Sequence, residues 1–451
     1  YEIQAWSVRP DSFSSYRSGF EIRTARRCQR ILIKRRLEGV AVQYELIRSY
    51  ELGHQLAAWS NVSLLTEVPL PGHRAGNTES FPPLTFGYTE FDPTRRQYES
   101  FSASCTYLPT KSLSDPNYEL VDLDGSGLPG VLHTGPTGHR YWRNLGNMRL
   151  TVPRPLKHFP MGVTLSEDGV QFGDMEGNGS ADLLVTTAAM RGYYSNDFSG
   201  EWQQFHSYNQ APSFSLKDPN VKLVDLDGDG AIDVLATQQH HFLCIHNANH
   251  GGGLAFDQPV TIERKHDLGV FPDVFLGAPD QRARLADMSG DGLQDVVLIH
   301  DRSIMYWPNL GYGRFGTQLV MWNAPALPYR YDPKRVFLSD VNGDGLADLI
   351  YVDMNKVHLW INQNGNRWSE EIVVHGTPSV NDIDSVRVAD MKGTGTQGIL
   401  WSYDYSLQVG KNYKYLDFTG GVKPLLMSSI ENHIGARTAI SYRPSTDYYI
   451  A

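Results

Sequence analysis

The sequence predicts an all-β fold: a six-bladed, asymmetric β-propeller with additional flanking β-strands. Three observations predict it. Six copies of an Asp- and Gly-rich segment recur about every 50 residues, short apolar runs flank each copy, and the 451 residues include 42 glycines and 25 prolines. A period near 50 residues holds about four strands with their turns, which is the size of one propeller blade. Six such units lie within the range of about four to eight blades in which a ring closes.

The six repeats share one pattern, with glycine at the fourth and sixth positions after a leading aspartate. Glycine at these positions supplies the positive φ angles that a tight connection needs. The apolar pairs on either side, such as Leu223–Val224 and Val234–Leu235, are typical of buried strands. Each loop is therefore expected at the equivalent place of its blade. The leading aspartates are Asp122, Asp174, Asp225, Asp287, Asp340 and Asp390.

A second regularity is an asparagine 22 residues after each leading aspartate, which supports the repeat assignment. The intervals between successive leading aspartates are 52, 51, 62, 53 and 50 residues. The long third interval predicts an insertion in the blade between Asp225 and Asp287, within residues 250–280. The asparagines are Asn144, Asn196, Asn247, Asn309, Asn362 and Asn412.

The repeats divide the chain into three parts. Residues 106–420 are predicted to form the propeller. Residues 1–105 contain strand-like runs at 43–52 and 62–68 but no repeat. Because a closed ring needs its ends fastened, we expect this segment to complete the first or last blade or to bridge to a neighbouring region. Residues 421–451 are predicted to be a strand-like connector to a further C-terminal region.

The acidic loops are candidate calcium sites. Calcium-binding loops place side-chain oxygens at positions one, three, five and nine and a backbone carbonyl at seven. The full set occurs at Asp225, Asp227, Asp229 and Asp233. Less complete sets are Asp287, Ser289, Asp291 and Asp295, and Asp340, Asn342, Asp344 and Asp348.

The alternative for these loops is that the leading aspartate caps its own turn through backbone N–H groups, which needs no ion. Two repeats favour this alternative, because Gly130 and Gly398 replace the ninth-position carboxylate while the turn pattern persists. No other metal or cofactor is predicted.

The sequence contains none of the common hydrolase, zinc-protease or nucleotide-binding motifs, so we predict no catalytic residues and no enzyme activity. The local group of His240, Cys244, His246 and His250 is interpreted as packing and surface side chains. A net charge of -10 argues against nucleic acid as the main partner. No apolar stretch reaches the length of a membrane-spanning helix, and we expect no direct membrane insertion.

Two sets of motifs resemble known families. The repeats, over residues 115–415, resemble the FG-GAP (VCBS-type) units of integrin propellers and bacterial surface proteins. The segments 5–29 (AWSVRPDSFSSYRSGFEIRTARRCQ), 82–91 (PPLTFGYTEF) and 423–446 (KPLLMSSIENHIGARTAISYRPST) resemble the B component of bacterial insecticidal toxin complexes, the Tc toxins. The order of flank, six repeats and flank also agrees with that family.

This resemblance implies a secreted, non-catalytic docking and gating module. Its partners would be the pentameric, pore-forming A component and, through a shell outside this sequence, the C component with its toxic cargo. The propeller would control passage of the unfolded cargo. Two other functions stay open at this point: a calcium-stabilised adhesion or ligand-binding propeller, and an enzyme with a site on the propeller axis.

Overall fold

A computed structural model describes residues 8–37, 44–74, 77–101, 107–208, 214–248, 256–406 and 411–450. Six four-stranded antiparallel sheets form a six-bladed propeller, so the predicted fold class is confirmed. Further strands lie in the flanks. In the described ranges, no helix has the length and apolar character that a membrane span requires.

In blades 1 to 5 the four strands of each blade follow one another along the chain. Blade 1 contains Tyr118–Val121, Gly130–Gly135, Gly138–Trp142 and Arg154–Pro155, and blade 2 contains Val170–Gly173, Asp182–Thr186, Arg191–Asn196 and Trp202–Ser207. Blade 3 contains Val221–Val224, Asp233–Thr237, His241–Ile245 and Val260–Glu263, and blade 4 contains Ala283–Ala286, Asp295–His300, Ser303–Trp307 and Leu319–Val320. Blade 5 contains Val336–Ser339, Asp348–Val352, Lys356–Trp360 and Ile372–His375, with a small hairpin of Asn362–Gln363 and Arg367–Trp368 before its last strand.

Blade 6 closes the ring with a strand from the other end of the chain. Its first three strands are Val386–Ala389, Gly398–Ser402 and Tyr413–Leu416, and its fourth is Glu99–Ser100. The Phe101 N–H adds a bond of 3.2 Å to the Tyr413 carbonyl. The segment predicted as a flank therefore completes the last blade, and the strands of the ring begin before residue 106.

The core consists of six apolar clusters, one between each pair of neighbouring blades. The cluster between blades 6 and 1 joins Met391 and Leu400 to Tyr118 and Val131. Because alternate side chains of a strand point to opposite faces of its sheet, every blade contributes to the cluster on each side. The ring is thus stabilised by burial between blades.

The insertion lies after the third strand of blade 3. Part of it, residues 249–255, is outside the described residues. Its later part connects blades 3 and 4 and buries Phe271, Val274 and Leu276 in the cluster between those blades. The added residues therefore extend this junction and make the ring asymmetric.

The flanks form a seven-stranded sheet beside the ring. In this sheet Asn77–Tyr88 pairs with Met427–Glu431, so the chain pairs with itself before and after the propeller. The end of the connector differs from the prediction, because Thr446–Ile450 forms a single helical turn. The sheet strands are Arg30–Arg36, Tyr44–Glu51, Gly53–Leu56, Ser63–Arg74, Asn77–Tyr88, Met427–Glu431 and Arg437–Ala439, and a separate hairpin joins Phe13–Ser15 to Ile22–Thr24. Short 3₁₀ turns occur at Pro93–Arg95, Pro333–Arg335 and Ile383–Ser385.

The two faces of the ring differ in their covering. The acidic loops join the first and second strands of every blade and so share one face, which we call the acidic-loop face. The flanks pack on this face: the Tyr16 N–H bonds Asp291 at 2.6 Å, and the Tyr449 hydroxyl bonds the Asp124 carbonyl at 2.9 Å. The opposite face carries the connections between blades and is called the crossover face.

Ring closure can be tested at Phe101, which is 3% exposed and packs edge-on against Tyr413 at 6.2 Å between ring centroids. Replacing Phe101 with Ala should lower the free energy of unfolding by about 3–5 kcal/mol, because it leaves a cavity in the core. The control is Phe81→Ala, whose ring is 71% exposed on a flank strand and should cost less than about 0.5 kcal/mol. Equal effects of the two substitutions on urea unfolding would contradict the closing role.

Candidate functional site in the six acidic loops

The leading aspartate of every repeat caps its own loop. In blade 3 Asp225 Oδ1 accepts the N–H groups of Asp227 and Gly228, and Oδ2 accepts that of Gly230 at 2.9 Å. The other five leading aspartates make equivalent bonds, including Asp390 in the repeat that lacks most acidic positions. The loops are therefore at equivalent places, as predicted, and the capping arrangement is present in all six.

The geometry shared by the six loops depends on the two glycines of each loop. In blade 3 Gly228 has a φ of 81° and Gly230 a φ of 94°, a region that favours residues without a Cβ atom. These positive angles turn successive N–H groups toward the leading carboxylate.

The ninth-position aspartate of blades 2 to 5 is buried and joins two parts of its blade. In blade 5 Asp348 Oδ2 accepts the Val341 N–H at 3.1 Å, and Oδ1 accepts the Asn362 N–H at 2.8 Å. Burial raises the pKa of Asp348 well above its usual value. Burial also raises the pKa of Asp182 in blade 2, to about 7. The same paired bonds are made by Asp182, Asp233 and Asp295.

Blades 1 and 6 replace this carboxylate with a tyrosine hydroxyl. The Tyr415 hydroxyl accepts the Met391 N–H at 3.4 Å and donates to the Ala389 carbonyl at 2.9 Å. Tyr141 makes the corresponding bonds to Leu123 and Val121 in blade 1. A Cβ atom at Gly130 would lie 2.6 Å from the Tyr141 hydroxyl, so glycine at position nine leaves the space that the ring occupies. From the sequence, these glycines are interpreted only as lost calcium ligands. The tyrosine on the neighbouring strand of each blade is the signal that a hydroxyl replaces the carboxylate.

The repeated asparagine connects each of blades 1 to 5 to the preceding blade. The Asn247 amide donates to the Met175 carbonyl of blade 2 at 2.9 Å, and the Asn144 amide donates to the Met391 carbonyl of blade 6 at 3.2 Å. The same bridge is made by Asn196 to Asp122, Asn309 to Leu226 and Asn362 to Met288.

Asn412 does not belong to this series, although it shares the offset of 22. The strand register places Phe418 where the other blades have the asparagine, because the connection over 403–412 before the third strand is long. Phe418 is fully buried in the cluster between blades 5 and 6. Asn412 instead precedes the strand and donates to the Pro109 carbonyl at 2.6 Å. The equivalence that the sixth asparagine implied is therefore wrong.

The blade 3 loop brings together the residues with the full predicted calcium set. The carboxylate oxygens of Asp225, Asp227 and Asp229 lie within 4.8 Å of one another, and Asp227 and Asp233 form a second such group with His246. His246 Nδ1 lies 3.3 Å from Asp233 Oδ2, and this hydrogen bond raises the pKa of the imidazole. Oxygen donors at this spacing suit calcium. Calcium at this loop stays a prediction.

The other two candidate loops differ in their fit. In blade 4 both Asp291 oxygens already accept N–H groups, from Leu293 and from Tyr16 of the flank hairpin. In blade 5 Asp344 Oδ2 and Asn342 Nδ2 are buried without a partner among the described residues. Burial and the nearby Asp340 charge raise the pKa of Asp344 to about 7. The unpaired Asp344 Oδ2 is an oxygen that a cation could use, whereas both Asp291 oxygens of blade 4 are already engaged.

The histidine group does not assemble a metal site among the described residues. Cys244 is fully buried, and burial raises the pKa of its thiol to about 12. His246 belongs to the Asp233 group, and His250 lies outside the described residues.

Comparison with known proteins agrees with this geometry. The family model for the Salmonella virulence plasmid 65kDa B protein matches residues 1–37, and that for the FG-GAP-like repeat matches residues 340–401. A structure of the Photorhabdus luminescens Tc holotoxin pore matches 99% of the chain at 26% identity with a TM-score of 0.83. The chain is therefore similar, over nearly its whole length, to a propeller region of the Tc toxin B-component type. A TcdB2-TccC3 crystal structure matches 98% of the chain at 25% identity with a TM-score of 0.66.

These matches also set the extent of the likeness. The chain spans 20% of the matched holotoxin chain and 21% of the TcdB2-TccC3 chain. A T-cell immunomodulatory protein homolog from Plasmodium yoelii yoelii is 23% identical over 236 residues, which are 46% of this chain and 33% of that protein.

Calcium binding can be tested at Asp227, which leaves the capping bonds of Asp225 in place. If the loop binds calcium, adding the ion to chelator-treated protein should raise the unfolding temperature. The free energy of unfolding should increase by about 2.7 kcal/mol when the calcium concentration is about a hundredfold above Kd. Asp227→Asn should reduce the shift, and Glu176→Gln, at the same position of blade 2, should preserve it. An unchanged shift in Asp227→Asn, or no shift in the unaltered protein, would favour capping without an ion.

The raised pKa of Asp344 predicts a pH dependence in calcium-free buffer. An unfolded aspartate titrates near pH 4, whereas the folded group keeps its proton up to about pH 7. Folding stability should therefore fall as pH rises from about 4 to about 7, because the folded state must then hold a buried charge. Asp344→Asn should raise the unfolding temperature at about pH 8 and change it little at about pH 4. If Asp344→Asn changed the unfolding temperature by the same amount at both pH values, the ionisation of Asp344 would not be the cause of the pH dependence.

Proposed function

We propose that the chain is a non-catalytic docking and gating module of a secreted, multi-component bacterial toxin. It binds the pentameric, pore-forming A component and controls passage of the unfolded toxic cargo. The observation that carries the proposal is the match over 99% of the chain to a Tc holotoxin pore structure. The flanks and the ring match together, so the likeness extends beyond the repeats to nearly the whole of this chain.

The crossover face is the surface that the proposal assigns to the A component. The flanks pack on the acidic-loop face and lead from there toward the proposed shell, the C component and the cargo. On the crossover face, Met161 is 80% exposed and Tyr329 is 89% exposed, and they lie in the connections between blades 1 and 2 and between blades 4 and 5. Exposed apolar side chains spread around a ring suit a broad protein contact.

Blade 6 is the part of the ring that the proposal assigns to the gate. A closed ring obstructs an unfolded chain, so passage requires a rearrangement of at least one blade. Blade 6 is completed by a strand from the other end of the chain, Glu99–Ser100, and its junction with blade 5 has Phe418 in place of a bridging asparagine. Lys392, Thr394 and Gly398 also replace oxygen ligands in its loop. Fewer such contacts lower local stability. Blade 3, which contains the insertion, is the second blade that we expect to rearrange.

Docking can be tested by titrating the full-length protein with a pentameric A component. The double substitution Met161→Asp and Tyr329→Asp should weaken binding by at least about tenfold, because it places charges in a desolvated contact. Phe81→Asp, at an equally exposed site on the flank sheet, should leave the affinity unchanged. Hydrogen exchange on the free and bound protein should show the largest change in blade 6. Failure of the unaltered protein to bind any A component would overturn docking, and equal protection of all blades in both states would overturn the gate alone.

A further inference from the structure

A cavity of about 220 Å³ opens where the N-terminal hairpin packs against blades 4 and 5. Its wall comes from three separate elements: Arg23 of the hairpin, Tyr306 of blade 4, and the loop of Asn364 and Asn366 in blade 5. The volume is below the range of about 300–1,000 Å³ that is typical of drug-sized ligands. It suits a single small ring.

Trp322 forms an exposed aromatic surface at the rim of this cavity. Trp322 is 79% exposed. Its backbone makes hydrogen bonds of 2.9 Å to the Asn366 carbonyl and 3.0 Å to the Trp368 N–H. A large aromatic ring that is open to solvent beside a cavity offers an apolar face to a ligand. Such a face packs well against the C–H groups on one side of a pyranose sugar.

The polar groups of the wall are oriented by the protein. Arg23 Nη1 donates to Ser14 at 3.0 Å, and Nη2 donates to the Asn366 amide oxygen at 3.2 Å. The Tyr306 hydroxyl donates to the Gly365 carbonyl at 3.0 Å, which leaves its oxygen free to accept. Planar amides and hydroxyls in fixed positions can each bond a ligand hydroxyl.

Ser289 supplies the independent observation that a ligand belongs here. It lines the cavity, it is 8% exposed, and its Oγ is buried without a hydrogen-bond partner among the described residues. Buried hydroxyls in native structures almost always have a partner. A hydroxyl group of a ligand in the cavity would provide it.

The charges of the cavity favour a neutral ligand. Glu21 lies 3.6 Å from Arg23 and offsets its positive charge. Asp291, two residues after Ser289, bonds the neighbouring Tyr16 N–H at 2.6 Å. The two nearby carboxylates oppose the binding of an anion, whereas a polyol would find donors and acceptors without a net charge to satisfy.

We propose that this cavity binds a neutral pyranose sugar, which stacks on Trp322 and bonds Ser289 and Tyr306. The site is distinct from the proposed docking residues Met161 and Tyr329, since neither lines the cavity and its wall includes the N-terminal hairpin and Ser289 of an acidic loop. It would give the propeller a contact with surface glycans.

The test measures binding of the methyl glycosides of glucose, galactose and mannose to the full-length protein, by saturation-transfer NMR and tryptophan fluorescence. At least one glycoside should bind saturably, with a dissociation constant in the millimolar range. Trp322→Ala should weaken it by about tenfold or more, and Ser289→Ala should weaken it by a smaller factor. Tyr329→Ala removes an equally exposed ring from the opposite face and is the control.

Thermal unfolding of each variant separates binding from folding, because the Trp322 ring is exposed and its loss should leave the unfolding temperature unchanged. Binding that is retained in Trp322→Ala would place the sugar elsewhere and overturn the proposal. So would the absence of saturable binding by all three glycosides. Binding of acetate or sulfate that is abolished by Arg23→Gln, with no sugar binding, would identify an anion site instead.

Discussion

The ring depends on one repeated interaction, the bonding of a leading aspartate to the backbone of its own loop. That bonding fixes the positions of the loop carbonyls, and those carbonyls are the acceptors for the next blade. The Asp174 carbonyl accepts the Ile232 N–H of blade 3 at 2.7 Å, while the neighbouring Met175 carbonyl accepts the Asn247 amide. A loop that lost its cap would therefore lose its own turn and the register of its neighbour.

The repeat pattern was sufficient to predict the blade count, the loop positions and the glycine conformations, because these depend on residues close together in sequence. The closing strand was harder. Glu99–Ser100 has no pattern of its own and is recognised only by its pairing with Lys414 and Tyr415. Asn412 is the opposite case. Its spacing from the leading aspartate matches the other blades, but a changed strand register places it at a different position. A constant spacing in sequence counts residues along the chain, whereas the pairing of the strands determines which residues occupy equivalent positions in two blades.

The candidate sites divide in the same way. The carboxylates of the blade 3 loop lie together as their spacing predicted, since one short loop carries three of them. The cavity beside Trp322 could not be predicted, because residues far apart in sequence form its wall: Arg23 of the hairpin bonds Asn366 of blade 5 across a separation of 343 residues. The substitution of tyrosine for the ninth carboxylate also leaves blades 1 and 6 without the buried acid that blades 2 to 5 contain. Burial raises the pKa of this acid in blades 2, 4 and 5, and the tyrosines of blades 1 and 6 leave no carboxyl group at position nine to titrate.

The pairing of Asn77–Tyr88 with Met427–Glu431 has a mechanical consequence. The polypeptide enters and leaves the propeller through two strands that are bonded to each other, so a pull on the two ends must shear this pair before it can extend the chain of the blades. Until those bonds shear, force reaches the blades only through the side contacts of the flanks, such as Tyr16 to Asp291 and Tyr449 to Asp124.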